Sequence, residues 1–449
     1  MNAFHAYDIR GIYNKDFTKQ DAYKIGYFLP ELLNTSTILV GRDVRESSDE
    51  IFENLTKGIC HAGANVFNVG ISTTPMIYFL TARLNLSASV MITASHNPKE
   101  YNGMKISGKD ALPIGYDTGL SELQKMILTK ETVPVQNLGK VINIEEKQNY
   151  LNFLNSFKKT EISDLKICVD CSNGMAALLI KDVLGESPYY IFDELDGTFP
   201  NHEANPLVES NLKWLKESVL MNKSDIGIIF DGDADRVMFV DENANFISPD
   251  LIIGLMGNYF LKNKKDKTRV LQDIRTSKGV KEYLQMLGNV DVHTWRVGRA
   301  FASPKLKEID GLWGGELAGH YYFKDFNYSD SGILSMLIVL DVLLELKKQG
   351  KTISQEISKI RSYFGSGEIN FKIENKVAAM NKVRDFYLNK DIPESNVDFD
   401  GYRVDFKDWW FNIRPSNTEP YLRLILEANN ENLLKNKKEE IISLLSEFI

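Results

Sequence analysis

Residues 226–236 read Ile-Gly-Ile-Ile-Phe-Asp-Gly-Asp-Ala-Asp-Arg. A continuous apolar run, Ile226 to Phe230, breaks into a loop of alternating aspartates. Such a run reads as a strand buried on both faces, the kind found in sheets covered by helices. The pattern recurs along the first two-thirds of the chain. Thr37 to Val40, Ser89 to Ile92, Leu165 to Val169 and Arg269 to Gln272 are similar β-rich runs. Helical stretches lie between them. Thr74-Pro75 opens one, with proline suited to a first helical position. Met175 to Leu184, Leu251 to Leu261 and Ile333 to Leu346 read as others. Alternation of this kind implies parallel α/β sheets.

The last part differs. Asn375 to Leu388 reads as a helix, Val397 to Lys407, Trp410 to Ile413 and Tyr421 to Glu427 as strands, and Asn430 to Ile449 as a closing helix. This is an α+β pattern, with the change near Tyr363. Turn-prone stretches at Lys130 to Lys147 and Asn243 to Pro249 mark two earlier boundaries. The expected domains are therefore residues 1–147, 148–246, 247–362 and 363–449.

At 449 residues, three or four domains are expected. A net charge of −8 argues against nucleic acid or anionic membrane as partner. The longest apolar stretch, Ile333 to Leu346, is too short to span a bilayer, and no signal-peptide pattern opens the chain, so a cytoplasmic protein is expected. Three cysteines do not suggest a disulfide framework. Cys168-x-x-Cys171 resembles a redox pair, but strand residues three apart face opposite ways, so it reads as packing.

Four motifs carry chemistry. In Thr93-Ala94-Ser95-His96-Asn97-Pro98 a serine follows a buried-type strand, at the end where open α/β sheets place ligands. Asn97 and Pro98 fix a turn expected to hold Ser95 outward; a helix cap or ordinary turn is the plainer reading. In Asp231-Gly232-Asp233-Ala234-Asp235-Arg236, alternate aspartates of an extended segment point one way. Their repulsion calls for a cation, and hard oxygen ligands suit Mg²⁺ or Ca²⁺. An EF-hand begins similarly, and Glu242 falls at its twelfth position, but Arg236 stands where glycine is needed. A phosphatase-type aspartyl nucleophile is a second rival, although Asp235 stands where such enzymes carry Thr or Val. A solvated acidic turn is a third.

Gly314-Gly315-Glu316-Leu317-Ala318-Gly319-His320 permits close backbone approach to a ligand; Glu316 and His320 suit sugar hydroxyls, and an incidental glycine-rich turn is the alternative. Arg414-Pro415-Ser416-Asn417-Thr418-Glu419-Pro420, with Arg423 beyond, combines arginine, hydroxyls and backbone N–H groups as a phosphate cradle; a surface turn is the alternative. Arg10 lies in a turn near the start. Lys105, ten residues after Ser95, suits a general acid or base if burial lowers its pKa. Arg42 and Asp43 read as exposed surface.

Together these motifs resemble the α-D-phosphohexomutase family, closest to its bacterial phosphomannomutase branch, over nearly the whole chain. The resemblance implies three doubly wound α/β domains with mixed sheets and a C-terminal α+β domain around one cleft. It implies an isomerase working as an intramolecular phosphotransferase, in which Ser95 carries the phosphoryl group. It implies that Ser95, Asp231, Asp233 and Asp235 hold Mg²⁺ and that a hexose 1,6-bisphosphate serves as intermediate and activator. Ser95, Lys105, His96 and Arg10 are expected to form the catalytic group. Arg236, Arg275, Arg299, Glu316, His320, Arg414, Ser416, Asn417, Thr418 and Arg423 are expected to contact the phosphosugar. The expected reaction interconverts mannose 1-phosphate and mannose 6-phosphate in a monomer or homodimer. Phosphoglucomutase or dual specificity is the alternative, ahead of a metal-dependent phosphomonoesterase or a non-catalytic phosphosugar-binding relative. Two departures fall in the sugar-choosing region. Ala318 stands where the family usually has serine in Gly-Glu-x-Ser-Gly, and Val297-Gly298-Arg299 stands where it usually has Val-Gly-His.

Overall fold

The structure is a computed structural model that describes residues 2–158, 162–416 and 421–448. It contains four sheets in succession along the chain. In the first, Thr37–Arg42 lies between the parallel strands Asn65–Ile71 and Ala88–Ile92. Tyr101–Gly108 then pairs antiparallel with Ala88–Ile92, and Ile9–Ile12 pairs antiparallel with Tyr101–Gly108. The second sheet places Ile167–Asp170 parallel to Ile226–Phe230, which pairs antiparallel with Val237–Asp241. The third places Thr268–Asp273 parallel to Val290–Trp295 and Trp313–Gly315, with antiparallel Tyr321–Phe323 and Ser329–Asp330 beyond. The alternating runs thus form parallel centres as expected, and each sheet adds antiparallel strands at one side. The strand Val141–Asn143 falls inside the turn-prone Lys130 to Lys147 stretch and completes the first sheet beside Asn65–Ile71.

The fourth sheet is antiparallel among its paired strands, with Trp409–Pro415 between Tyr402–Asp405 and Leu422–Ala428. Helices Lys376–Lys390 and Glu431–Leu445 complete this α+β unit. Asn375 and Asn430 cap them, their side chains accepting from Ala378 and Leu433 N–H groups.

One continuous apolar core runs through the first three units. The helix Gly332–Lys348 lies within it, buried from Ile333 to Leu340 without a polar face, as an all-round apolar helix must be. Among the described residues no helix is long and apolar enough to cross a membrane. Cys168 and Cys171 fall in separate apolar clusters, in keeping with packing roles.

Helix Thr74–Arg83 links the first two units. Thr73 caps it by accepting from Met76 N–H, and Pro75 occupies its first turn. The Thr74 N–H donates to the Asp233 carbonyl at 3.1 Å. This end of the helix therefore abuts the aspartate loop of the second sheet.

Candidate active site

The Ser95 loop and the aspartate loop leave the carboxyl ends of Ala88–Ile92 and Ile226–Phe230 and meet face to face. Ser95 is buried at 1% exposure rather than held outward, and its hydroxyl donates to Asp231 Oδ2 at 2.8 Å. The approach is close because position 232 has no side chain. A Cβ there would lie 2.4 Å from the Ser95 carbonyl oxygen. Ser95 itself adopts a left-handed backbone, φ 53°, a conformation that costs a non-glycine residue energy and concentrates at functional sites.

The aspartates converge by a different route from the extended segment expected. Residues 232–235 form a turn with Ala234 at φ 63°. Carboxylate oxygens of Asp231, Asp233 and Asp235 lie within 4.8 Å of one another, all buried. Burial, with Asp235 and Asp233 alongside, pushes Asp231 well above the usual carboxylate range. Asp233 Oδ1 and Asp235 Oδ1 are buried without a hydrogen-bond partner among the described residues. Hard oxygen donors with orphaned lone pairs fit a divalent cation such as Mg²⁺.

Lys105 reaches into this cluster, donating to Asp233 Oδ2 at 2.6 Å and to Asp235. Burial works against its charge, but Asp233 and Asp235 outweigh it and raise its pKa. The expectation that burial lowers the Lys105 pKa is corrected accordingly: Lys105 is held as an ammonium. His96 differs. Burial, and then Arg236, Arg10 and Lys105, holds it well below its ordinary value, and its Nδ1 lies 3.4 Å from Ser95 Oγ. Arg10 donates to Asn97 Oδ1 at 2.8 Å and pairs with Asp8. Arg236 donates its backbone N–H to Asp231 at 3.1 Å and its Nε–H to His320 Nε2 at 2.9 Å. His320 Nδ1–H in turn meets Asp330 Oδ2 at 2.6 Å.

The sugar-loop glutamate is buried. Glu316 accepts from the Tyr322 hydroxyl at 2.7 Å and from Gly298 N–H at 3.1 Å, and burial raises its pKa. Arg275 is paired with Asp273 at 2.6 Å. Burial, followed by the nearby Arg275, lowers the pKa of Arg414. In the fourth sheet Arg414 stands directly opposite Arg423, and Arg423 pairs with Glu368 at 3.3 Å. Like charges in register destabilise a bare sheet, so this group of arginines suits an anion. Ser416 N–H donates to the Tyr421 carbonyl at 2.9 Å. Asn417 and Thr418 lie outside the described residues.

Arg299 is committed elsewhere. Its Nε donates to Asp330 at 3.0 Å and its Nη2 to the Ala111 carbonyl at 2.7 Å, and the guanidinium lies 3.6 Å over the Tyr78 ring.

Two groups escaped the sequence reading. Arg45 is buried and uses all five donors. Nε meets Asp43, Nη1 the carbonyls of Pro98 and Tyr101, and Nη2 those of Ser95 and Asn97. Asp43 is buried too, contrary to the surface expectation; only Arg42 keeps partial exposure. Their signal was position, since both follow the strand Thr37–Arg42 at its carboxyl end. Asp330 lies on a two-residue strand with no motif around it.

Domain models described as phosphoglucomutase/phosphomannomutase alpha/beta/alpha domains I, II and III and C-terminal domain match residues 1–133, 148–244, 248–363 and 368–444 in order. The fold and its buried serine–aspartate centre define a phosphohexomutase, an intramolecular phosphotransferase of the isomerase class. The chain is 36% identical to a phosphomannomutase of Methanocaldococcus jannaschii, covering 99% of this chain and 98% of the relative. It is 33% identical to a phosphomannomutase of Escherichia coli over 100% and 99%. A solved phosphoglucomutase/phosphomannomutase family protein of Burkholderia thailandensis superposes with a TM-score of 0.87 at 26% identity, covering 99% of this chain and 97% of that one. The chain belongs to the phosphoglucomutase/phosphomannomutase family.

Proposed function

We propose that this enzyme is a phosphomannomutase that interconverts mannose 1-phosphate and mannose 6-phosphate through phosphorylated Ser95. The observation that carries the reading is the Ser95 hydroxyl directed at Asp231 inside a cluster of three buried carboxylates, with orphaned oxygens on two of them. A serine so placed can carry a phosphoryl group beside a cation. The curated relatives named phosphomannomutase support mannose as the sugar.

Asp231, Asp233 and Asp235, with Ser95, would hold Mg²⁺, which would supply charge neutralisation to the transferring phosphoryl group. The chain's own residues do the positioning on which phosphoryl transfer mostly depends. The sugar 6-hydroxyl attacks phosphorus in line, a new O–P bond forms and the Ser95 Oγ–P bond breaks. The proton given up by the attacking hydroxyl is balanced by the one Ser95 Oγ takes up as its bond to phosphorus breaks, and His96 Nδ1, 3.4 Å from Ser95 Oγ, is placed to pass a proton to that leaving oxygen. Lys105, kept as an ammonium, offers donors to the phosphoryl oxygens. The hexose 1,6-bisphosphate then turns over in the cleft, and its 1-phosphate returns to Ser95. The same bisphosphate primes unphosphorylated enzyme. Glu316 binds sugar hydroxyls, while Arg414 and Ser416, with Asn417 and Thr418, hold the phosphate that is not reacting. The enzyme acts in the cytoplasm as a monomer or homodimer, without nucleic acid or membrane.

A second reading, action on glucose 1-phosphate as well, is favoured by one observation: Ala318 replaces a serine in the loop that chooses the sugar. A coupled assay with mannose 1-phosphate and glucose 1-phosphate, Mg²⁺ and a trace of hexose 1,6-bisphosphate tests both. Preference for mannose is expected. Activity on neither sugar overturns the proposal, and release of inorganic phosphate in place of isomerisation marks a phosphomonoesterase.

A further inference from the structure

We infer that Arg299 is a positioning residue of this reaction, a brace that holds His320 at the reaction centre through Asp330, and not a ligand of the substrate. The inference rests on the phosphoserine reading above and assigns Arg299 a role within it.

An arginine that serves a phosphate keeps its planar fork open toward the ligand. On its Nε and Nη2 side the Arg299 fork is occupied by protein. Nε donates to Asp330 Oδ1 at 3.0 Å, and Nη2 donates to the Ala111 carbonyl at 2.7 Å and to Ser329 Oγ at 3.3 Å. Its face covers the Tyr78 ring at 3.6 Å, a contact suited to a weakly hydrated guanidinium. Its side chain is 11% exposed. Ala111 and Tyr78 belong to the first domain, Asp330 and Ser329 to the third. Arg299 therefore ties two domains together at one point.

What it ties matters for the chemistry. Asp330 divides its oxygens, Oδ1 to Arg299 and Oδ2 to His320 Nδ1–H. His320 Nε2 accepts from Arg236 Nε–H, so the imidazole proton sits on Nδ1, and Asp330 fixes that tautomer. Arg236 donates its backbone N–H to Asp231, which accepts the Ser95 hydroxyl. A continuous path of hydrogen bonds thus runs from the first-domain backbone at Ala111, through Arg299, Asp330, His320, Arg236 and Asp231, back to Ser95.

The loop that carries Arg299 is itself held from several sides. The Tyr7 hydroxyl donates to the Val297 carbonyl at 3.2 Å, Val297 N–H donates to Asp400 of the fourth domain at 3.1 Å, and Gly298 N–H donates to Glu316 at 3.1 Å. Gly298 permits this packing. It has φ 111°, and a Cβ there would lie 2.8 Å from the Tyr7 ring. The first, third and fourth domains all meet at this turn, and Arg299 carries its position inward to His320.

The test uses the full-length enzyme as wild type, Arg299→Ala and Arg299→Lys, with two readouts. In steady-state assays Arg299→Ala is expected to lose about 100-fold in kcat, the scale of a roughly 1 Å misplacement, with KM changed by less than about 3-fold. In proton NMR, the downfield resonance of the His320 Nδ1–H, assigned by its loss in His320→Gln, is expected to disappear or move upfield in Arg299→Ala. Arg299→Lys keeps a cation for Asp330 but cannot also reach Ala111, so it restores the resonance and part of kcat. A raised KM with kcat intact in either variant makes Arg299 a substrate ligand and overturns the inference. So does an unchanged His320 resonance in folded Arg299→Ala. Should the alanine variant fail to fold, Arg299→Lys decides alone: kcat reduced at constant KM supports the brace, and a raised KM with full kcat refutes it. A wild-type enzyme without mutase activity refutes the proposed function instead, and the NMR comparison still judges the Arg299–Asp330–His320 link.

Discussion

The reaction centre and the arginine cradle are built in opposite ways. At the centre, Ser95 and the three aspartates come from two loops on different sheets, and each loop contains a non-glycine residue at positive φ. Every charge there faces another, with Lys105 on Asp233 and Asp235, and Arg236 near Asp231. In the cradle, Arg414 and Arg423 are direct cross-strand neighbours on an ordinary antiparallel ladder, and the strongest charge effect on Arg414 is the like charge of Arg275. The centre mixes both signs and leaves carboxylate oxygens over, which suits a cation. The cradle gathers like-charged arginines, two of them also paired with Asp273 and Glu368, which suits an anion. The difference separates chemistry from grip, so variants of the two regions should act on different kinetic constants.

The largest expected effect is at the centre. Ser95→Ala removes the proposed phosphoryl carrier and should cut turnover by on the order of 10⁶, the scale of losing a covalent nucleophile, while calorimetry still detects phosphosugar binding. Normal turnover in this variant breaks the comparison outright. Asp233→Ala leaves Lys105 with one carboxylate and takes one ligand from the proposed cation site. A loss of several kcal/mol of transition-state stabilisation, on the order of 10³ in rate, is expected together with a weaker Mg²⁺ titration. An unchanged metal titration removes Asp233 from the cation site.

Arg414→Ala should instead raise KM, by about 10- to 100-fold, the worth of a hydrogen bond to a charged group, with a smaller change in kcat. A drop in kcat at constant KM would place Arg414 with the centre. Two glycines sharpen the contrast at lower cost. A Cβ at Gly232 would lie 2.4 Å from the Ser95 carbonyl, and one at Gly401 would lie 2.2 Å from the Ile413 carbonyl, next to Arg414. Alanine at either position should destabilise the fold by about 1–3 kcal/mol, the usual cost of overpacking. Gly232→Ala should lower kcat and Gly401→Ala should raise KM, with thermal melting confirming comparable stability losses.

Legibility in the sequence follows the same division. The residues proposed to carry chemistry stand in short motifs, because a loop after a strand must present them together: Ser95, His96, the three aspartates and Arg414 are all readable. Their partners were not. Arg45 collects four carbonyls between Ser95 and Tyr101 from about fifty residues away, and Asp330 finds both His320 and Arg299 from a two-residue strand. Such contacts depend on which strands become neighbours, and no local pattern encodes that. Lys105 shows the converse. Its place in the chain was noticed, but the sign of its pKa change depends on whether burial or the facing carboxylates win, and only the tertiary structure supplies the carboxylates.

The smallest expected effect lies where the fourth domain joins the third. Glu427 accepts from Ser277 Oγ at 2.6 Å across that junction and from Trp410 Nε1 at 2.8 Å. Burial and the nearby Asp250 outweigh these bonds and Arg403, and raise its pKa from 4.5 to about 7. A carboxyl raised in the folded state binds more protons folded than unfolded between those values. Its stabilising contribution is therefore complete below pH 4.5 and lost as pH rises through about 7. The amount is at most about 3 kcal/mol, at about 1.4 kcal/mol per unit, and less in practice because the side chain is only partly buried. Chemical denaturation of wild type and Glu427→Gln at intervals from pH 5 to 8 checks this. Wild type should lose stability relative to the variant as pH rises through about 7, the difference levelling off only about one pH unit above that value. Parallel behaviour throughout would mean that Glu427 titrates normally. In that case the hold at this junction is as independent of pH as that on the Ser95 loop, where four donors of Arg45 meet backbone carbonyls with a charge that no physiological pH removes.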